Sequence, residues 1–223
     1  TKFSFKDSRK VGVAIYANGY EDIPKIFNRI GPYPDFIHVD IVDKTMNKNA
    51  LDTNLSKLEV VKAYWPNHKI ETHIMSKDPM NLMDEKIINN SDIIYVHHEI
   101  ENKEKVVKKI LEKNKTPGLV LHSIHKYENL EEIIRNYKEI LILSIKKPGV
   151  SGQRFNEESY NLIERINLLE IRKNINVCVD GGVKSNLINK FTSEKIVSGS
   201  DVLNSEQPVK KIMKLQTVAR YEK

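Results

Sequence analysis

The chain has 223 residues, 39% hydrophobic and 30% charged, with 36 basic against 30 acidic side chains and a formal net charge of +6. This composition excludes a disordered chain, and the longest apolar runs fall far short of the roughly 18 residues of a membrane span. The single cysteine, Cys178, excludes an intrachain disulfide and suits a cytoplasmic protein.

The N-terminal stretch TKFSFKDSRKV has no apolar core and does not read as a secretory signal. From there, short apolar runs follow at 11–17, 36–42, 70–75, 92–98, 118–122, 140–145, 175–180 and 195–199. Amphipathic stretches lie between them. In the segment at 101–115, Val106, Val107, Ile110 and Leu111 recur at helical spacing, and its Lys and Glu alternate as on a solvated face, so nucleic acid is not needed to explain the charge. Residues 127–137 and 157–171 behave similarly, and 205–223 reads as a last helix with Pro208 near its start. Continuous apolar strands separated by helices predict a parallel sheet covered by helices. Eight such units at this length predict one α/β domain over 1–223, a (β/α)₈ TIM barrel. A doubly wound sheet is the alternative, weakened by the lack of a Gly-rich dinucleotide fingerprint after the first run.

In such barrels the chemistry sits at the C-terminal ends of the strands. His38 and Asp40 are two apart in the second run, so they project from the same face of a strand. His73, His97, His98 and His122 also lie at or near predicted strand ends, His125 follows closely, and only His68 falls elsewhere. One such histidine alone reads as an interior or loop residue. Several converging weaken that reading: His38, Asp40, His73 and Asp180 end three different strands, and two imidazoles with two carboxylates suit a divalent transition metal. Glycines cluster at later strand ends: Gly152 within PGVSGQ, Gly181 and Gly182 within DGGV, and Gly199 beside Ser200. There, backbone N–H groups can approach an anion closely, and a phosphate site after strands 7 and 8 recurs in this architecture.

The segments HVDIVD, THIM, PGVSGQRF, VDGGV and VSGS, in this order and spacing, resemble the ribulose-phosphate 3-epimerase family over nearly the whole chain. The resemblance implies a (β/α)₈ barrel that uses a divalent metal (Zn, Fe, Mn or Co) to interconvert ketopentose phosphates at C3. It places the metal ligands at His38, Asp40, His73 and Asp180 and the acid/base pair at Asp40 and Asp180. It implies a small-molecule sugar phosphate as partner rather than nucleic acid or membrane, and leaves a homo-oligomer open. The chain departs from the family pattern where substrate would be lined. Val13-Ala14 replaces a Pro-Ser pair, Lys44 replaces a Gly, and Met46-Asn47-Lys48-Asn49 keeps only the Asn of its loop. Val42 and Ser144 replace methionines, Met75 is kept, and Asp201 stands where a small residue is usual. Lys146 and Lys147 enter the end of strand six. Met75, Ser144 and Lys147 are the candidate substrate contacts, with a solvated side chain as the other reading of Lys147. The expected activity is epimerisation of ribulose 5-phosphate and xylulose 5-phosphate. The alternatives are a hexulose or heptulose phosphate epimerase of a specialised carbohydrate or surface-polysaccharide pathway, or a non-catalytic sugar-phosphate-binding paralogue. A decarboxylase of the Asp-x-Lys-x-x-Asp type is disfavoured, because Val42 stands where its lysine would be.

Overall fold

A computed structural model describes residues 9–218. The sequence readings on residues 1–8 and 219–223 lie outside the described residues. Eight strands run β1 (Lys10–Tyr16), β2 (Phe36–Val42), β3 (Lys69–Met75), β4 (Ile93–His97), β5 (Thr116–His122), β6 (Glu139–Leu143), β7 (Asn176–Asp180) and β8 (Lys195–Ser198). All are parallel, each pairs with the next, and β8 closes on β1. The expected (β/α)₈ barrel is what the chain forms. Its strands read as unbroken apolar runs because both of their faces are covered: one set of side chains packs under the helices and the other fills the barrel.

The helices are α1 (Ile23–Ile30), α2 (Ser56–Tyr64), α3 (Glu85–Asn90), α4 (Lys103–Glu112), α5 (Leu130–Ile134), α6 (Glu158–Asn167), α7 (Ser200–Leu203) and α8 (Pro208–Thr217). Helix α1 starts where the Asp22 carboxylate accepts from the Lys25 N–H. In α4 only Val106 and Ile110 are buried, and Leu111 lies 56% exposed. The amphipathic reading over 157–171 splits into α6 and a 3₁₀ turn at Glu170–Asn174, and that over 127–137 shrinks to five helical residues. The β7–β8 connection carries only a 3₁₀ turn at Ile188–Lys190.

Alternation along the strands sorts the interior. Gly12 and Gly118 leave space for aromatic rings: a Cβ on either would come within 2.2 Å of the ring of Phe36 or Tyr95. At the N-terminal end of the barrel, Lys195 from β8 reaches between Glu71 of β3 and Glu139 of β6, bonding Glu71 and standing 3.0 Å from Glu139 Oε2. Burial pulls the Lys195 ammonium toward neutrality, but these carboxylates outweigh it and raise its pKa overall.

That ion cluster sets a prediction. Lys195→Met removes the cation shared by two enclosed carboxylates, and breaking a buried pair costs about 3–5 kcal/mol. Burial already raises the Glu71 pKa, and loss of the lysine raises it further. A carboxylate with a raised folded pKa destabilises when ionised. The deficit, measured by urea denaturation, should therefore be largest near neutral pH and shrink as pH falls and Glu71 protonates.

Candidate metal centre and active site

His38 and Asp40 alternate inward on β2, and the strand register sets Asp40 beside Tyr16 of β1 on one side and His73 of β3 on the other. Asp180 ends β7, across the barrel. The four predicted residues meet: one ligand-type atom from each lies within 4.8 Å of the others. His38 Nε2 is 3.0 Å from Asp40 Oδ1 and 3.3 Å from Asp180 Oδ2. His73 Nδ1 is 3.2 Å from Asp40 Oδ1 and 3.7 Å from Asp180 Oδ2. All four are buried, the most open being Asp180 at 9% exposure.

The electrostatics follow from two acids sharing a dry pocket. Burial alone would lower the His38 pKa, but Asp40 and Asp180 outweigh it and raise it to about 10. His73 is raised by the same pair against its burial. Burial would raise the Asp180 carboxyl, but the two imidazoles hold it well below the usual carboxylate range. The cluster thus demands positive charge. Two imidazoles and two carboxylates suit a borderline divalent ion. His73 Nδ1 faces both carboxylates while buried and without a hydrogen-bond partner, as a ring nitrogen awaiting a ligand would be. The residues present fit a divalent metal.

Behind His73, its Nε2 lies 2.8 Å from His97 Nε2, and His97 Nδ1 lies 2.8 Å from Glu99 Oε1. Glu99 also approaches His125, and with His122 these form a second, more open group of potential ligands. His122 is committed through Nε2–H to the Ile145 carbonyl.

Beside the centre is a cavity of about 200 Å³, lined by Asp40, Asp180, Met75, Gly152, Gly181, Gly182, Gly199 and Ser200 among others. Gly181 and Gly182 have φ of +117° and +64°, and a Cβ on Gly182 would meet the Phe155 backbone nitrogen at 2.5 Å, so that turn requires glycine. Gly199 is roomier, its nearest neighbour for a Cβ being the Ala14 methyl at 3.6 Å.

Two expected substrate contacts lie elsewhere. Leu143 and Ile145 line the cavity, so Ser144 between them falls on the outward parity: it is buried, and its hydroxyl donates to the carbonyls of Asp180 and Gly181. It braces the turn after β7 and does not line the cavity. Lys147 is exposed outside the cavity wall, its backbone clamped to the Gln153 amide. Asp201 is paired with Lys211 of α8 at 3.5 Å and lines an outer cleft shared with Lys146 and Lys184.

The sequence reading missed Tyr16, Glu21 and Asn204, which line the cavity. Tyr16 follows Gly12 and Ala14 by the two-residue alternation, so its position was readable. Burial, with Asp40 and Asp180 beside it, raises the Tyr16 hydroxyl pKa, and burial raises that of the Glu21 carboxyl.

A parallel barrel with histidines, aspartates and a glycine-lined cavity at its strand mouths has the layout of a barrel enzyme acting on a small molecule. The profile of the ribulose-phosphate 3 epimerase family matches residues 13–203. The chain belongs to that family, and with it to the carbohydrate epimerases of the isomerase class. It is 25% identical over 170 residues to a ribulose-phosphate 3-epimerase of Encephalitozoon cuniculi, covering 76% of this chain and 75% of the relative. It is 30% identical over 179 residues to one of Aquifex aeolicus, covering 76% and 74%. Among solved structures, a 3-hexulose-6-phosphate synthase from Salmonella typhimurium superposes with a TM-score of 0.71 at 12% identity, over 94% of this chain and 97% of that one, and shares the fold. No helix among the described residues is long and apolar enough to cross a membrane.

The histidine shift has a checkable sign. His38 titrates near 10 when folded against an ordinary 6.5, so its pairing stabilises fully below about pH 6.5 and is lost as pH rises through about 10. At pH 8 the metal-free ring is therefore protonated, and a metal must displace that proton. Zinc added to chelator-treated protein at pH 8 should release about one proton per site or more, read with an indicator in weak buffer. Binding without proton release would remove His38 from the ligand set.

Proposed function

We propose that the chain inverts C3 of a ketose phosphate, of the ribulose 5-phosphate and xylulose 5-phosphate type, in the cytoplasm, with Asp40 and Asp180 as the acid/base pair. The observation that carries this reading is the convergence of those two carboxylates, from β2 and β7, on one cavity beside a glycine-lined wall. Inverting a carbon next to a ketone requires removing a proton from one face and returning one to the other. Two carboxylates from opposite strands can do this, one as base and the other as acid, exchanging roles with direction. A divalent ion held by His38, Asp40, His73 and Asp180 would supply Lewis-acid stabilisation of the negative charge that develops when the proton leaves. Backbone N–H groups around Gly152, Gly181, Gly182, Gly199 and Ser200 would donate to the phosphate. Met75 and Tyr16 would bound the sugar. The 1–223 chain acts in this reading as one domain.

A hexulose or heptulose phosphate is the second reading. It is favoured by Ala14, which lines the cavity without the hydroxyl that the family usually offers there, and by Glu21, an acid within the same wall. A purely binding role fits less well, since both carboxylates reach the cavity.

A panel of ketose phosphates incubated in deuterated water, followed by NMR for exchange at C3, distinguishes these substrates. Asp40→Asn and Asp180→Asn should each lower epimerisation by ~10²–10⁴-fold, with metal content measured alongside. Near-parental turnover in either variant would remove the two-carboxylate mechanism.

Gly199→Asp tests the phosphate. The site has room for a Cβ, unlike Gly182, so the added carboxylate opposes the dianion without a steric clash at Cβ. KM for the phosphorylated sugar should rise by about tenfold or more, a loss of about 1.4 kcal/mol, with melting temperature nearly unchanged. Equal use of the unphosphorylated sugar by the parent chain would overturn the phosphate assignment.

A further inference from the structure

We infer that Glu99 and His97 are positioning residues that fix the tautomer of His73, holding its Nδ1 lone pair toward the metal site. The inference rests on the metal-centred reading above and concerns residues that do not themselves reach the metal ligand atoms. Three groups from neighbouring strand ends form one line: Glu99 Oε1 to His97 Nδ1 at 2.8 Å, His97 Nε2 to His73 Nε2 at 2.8 Å, and His73 Nδ1 facing Asp40 and Asp180. The two imidazole planes are within 15° of each other, and both rings are fully buried.

Each link allows one proton arrangement. A carboxylate has only lone pairs to offer, so His97 must place its proton on Nδ1 to bond Glu99. With a metal on His73 Nδ1, that ring's one proton is left to Nε2, and the 2.8 Å Nε2–Nε2 contact then needs a bare nitrogen on His97. A neutral ring protonated at Nδ1 is bare at Nε2. Two nitrogens 2.8 Å apart need one proton between them, and only His73 Nε2 can now supply it. His73 then donates through Nε2 and is left with its lone pair on Nδ1, the buried nitrogen that has no hydrogen-bond partner and faces the carboxylates. Glu99 is the anchor of this order. Its side chain is about one-third exposed, and His125 Nε2 approaches the same oxygen at 3.9 Å. Without Glu99, His97 is free to carry its proton on Nε2. His73 would then be forced to keep its own proton on Nδ1, where the metal must bind. Partners of this kind behind a ligating histidine typically affect metal affinity by 10–100-fold.

The test uses the full chain, stripped with chelator and titrated with zinc against a chromophoric competitor and with cobalt followed by its visible absorption. Glu99→Leu, at the more open position, should weaken zinc binding by ~10–100-fold and alter the cobalt spectrum, while the metal-free melting temperature stays close to that of the parent. His97→Leu should do the same. His97→Gln, whose amide oxygen can accept from His73 Nε2–H, should recover most of the affinity. Parental zinc affinity and cobalt spectrum in Glu99→Leu would overturn the inference. So would a variant that loses metal-free stability in proportion to affinity without rescue by glutamine, which is the mark of a merely structural role. A parent chain that binds neither ion would instead sink the metal reading itself, and this inference with it.

Discussion

Two carboxylates held together in a space nearly closed to water are the constraint on which the structure turns. Neither can remain ionised there without a positive charge close by. The barrel meets this problem twice. At its N-terminal end, Glu71 and Glu139 share Lys195, a permanent cation delivered by the chain itself. At its C-terminal end, Asp40 and Asp180 face His38 and His73, whose charge is removable. The first solution is closed and belongs to stability. The second leaves lone pairs and a cavity, and it can exchange protons for a metal ion. The aromatic, aliphatic and cysteine side chains of the barrel interior lie between the two charged layers.

The fold was legible because a parallel barrel writes itself into sequence as continuous apolar runs. All eight runs became strands, with ends shifted by a residue or two. Helix extents were less readable. The patterns over 127–137 and 157–171 carry apolar residues beyond the helix, because residues such as Leu168 can sit exposed at a helix end. The β7–β8 link has room only for a 3₁₀ turn, and no local propensity signals that. Within the site, the His38–Asp40 spacing alone placed two groups on one face. Bringing in His73 and Asp180 required closure of the barrel; the eight-unit pattern placed both at strand ends, and the family resemblance then assigned them as ligands. Ser144 and Lys147 were read from the family pattern at the end of the sixth run; neither lines the cavity, Ser144 because it alternates away from Leu143 and Ile145 and Lys147 because it lies exposed beyond β6. Glu99 carries no signal of its own in the sequence, because only the fold sets its carboxylate against the His97 ring.

The residues that depart from the family pattern are distributed unevenly over the site. The four clustered His and Asp side chains are intact, and the glycine wall is intact, while Ala14, Val42 and Ser144 differ. A wall built of backbone N–H groups depends on φ and on the absence of side chains, so it tolerates change elsewhere provided its glycines remain. At Gly182 that requirement is absolute in steric terms, since backbone atoms of the facing loop already occupy the Cβ position. Sugar-facing surface depends on side-chain identity and can change one residue at a time. The part of the molecule that would recognise phosphate is therefore constrained by main-chain geometry, and the part that would recognise the sugar is not.

Asp201 tests that division. In sequence it looks like an acid set against a dianion, one residue past Ser200. In the structure its carboxylate pairs with Lys211 and belongs to an outer cleft where Lys146 and Lys184 also lie. At 3.5 Å the lysine offsets most of the repulsion that an unpaired aspartate would exert, and the two charges together act on the cavity as a weak dipole. Helix α8 is thus more than a cover for the barrel wall. By supplying Lys211, it lets an acidic residue stand beside the glycine-lined cavity without cancelling the field that N–H groups there would exert on a bound phosphate.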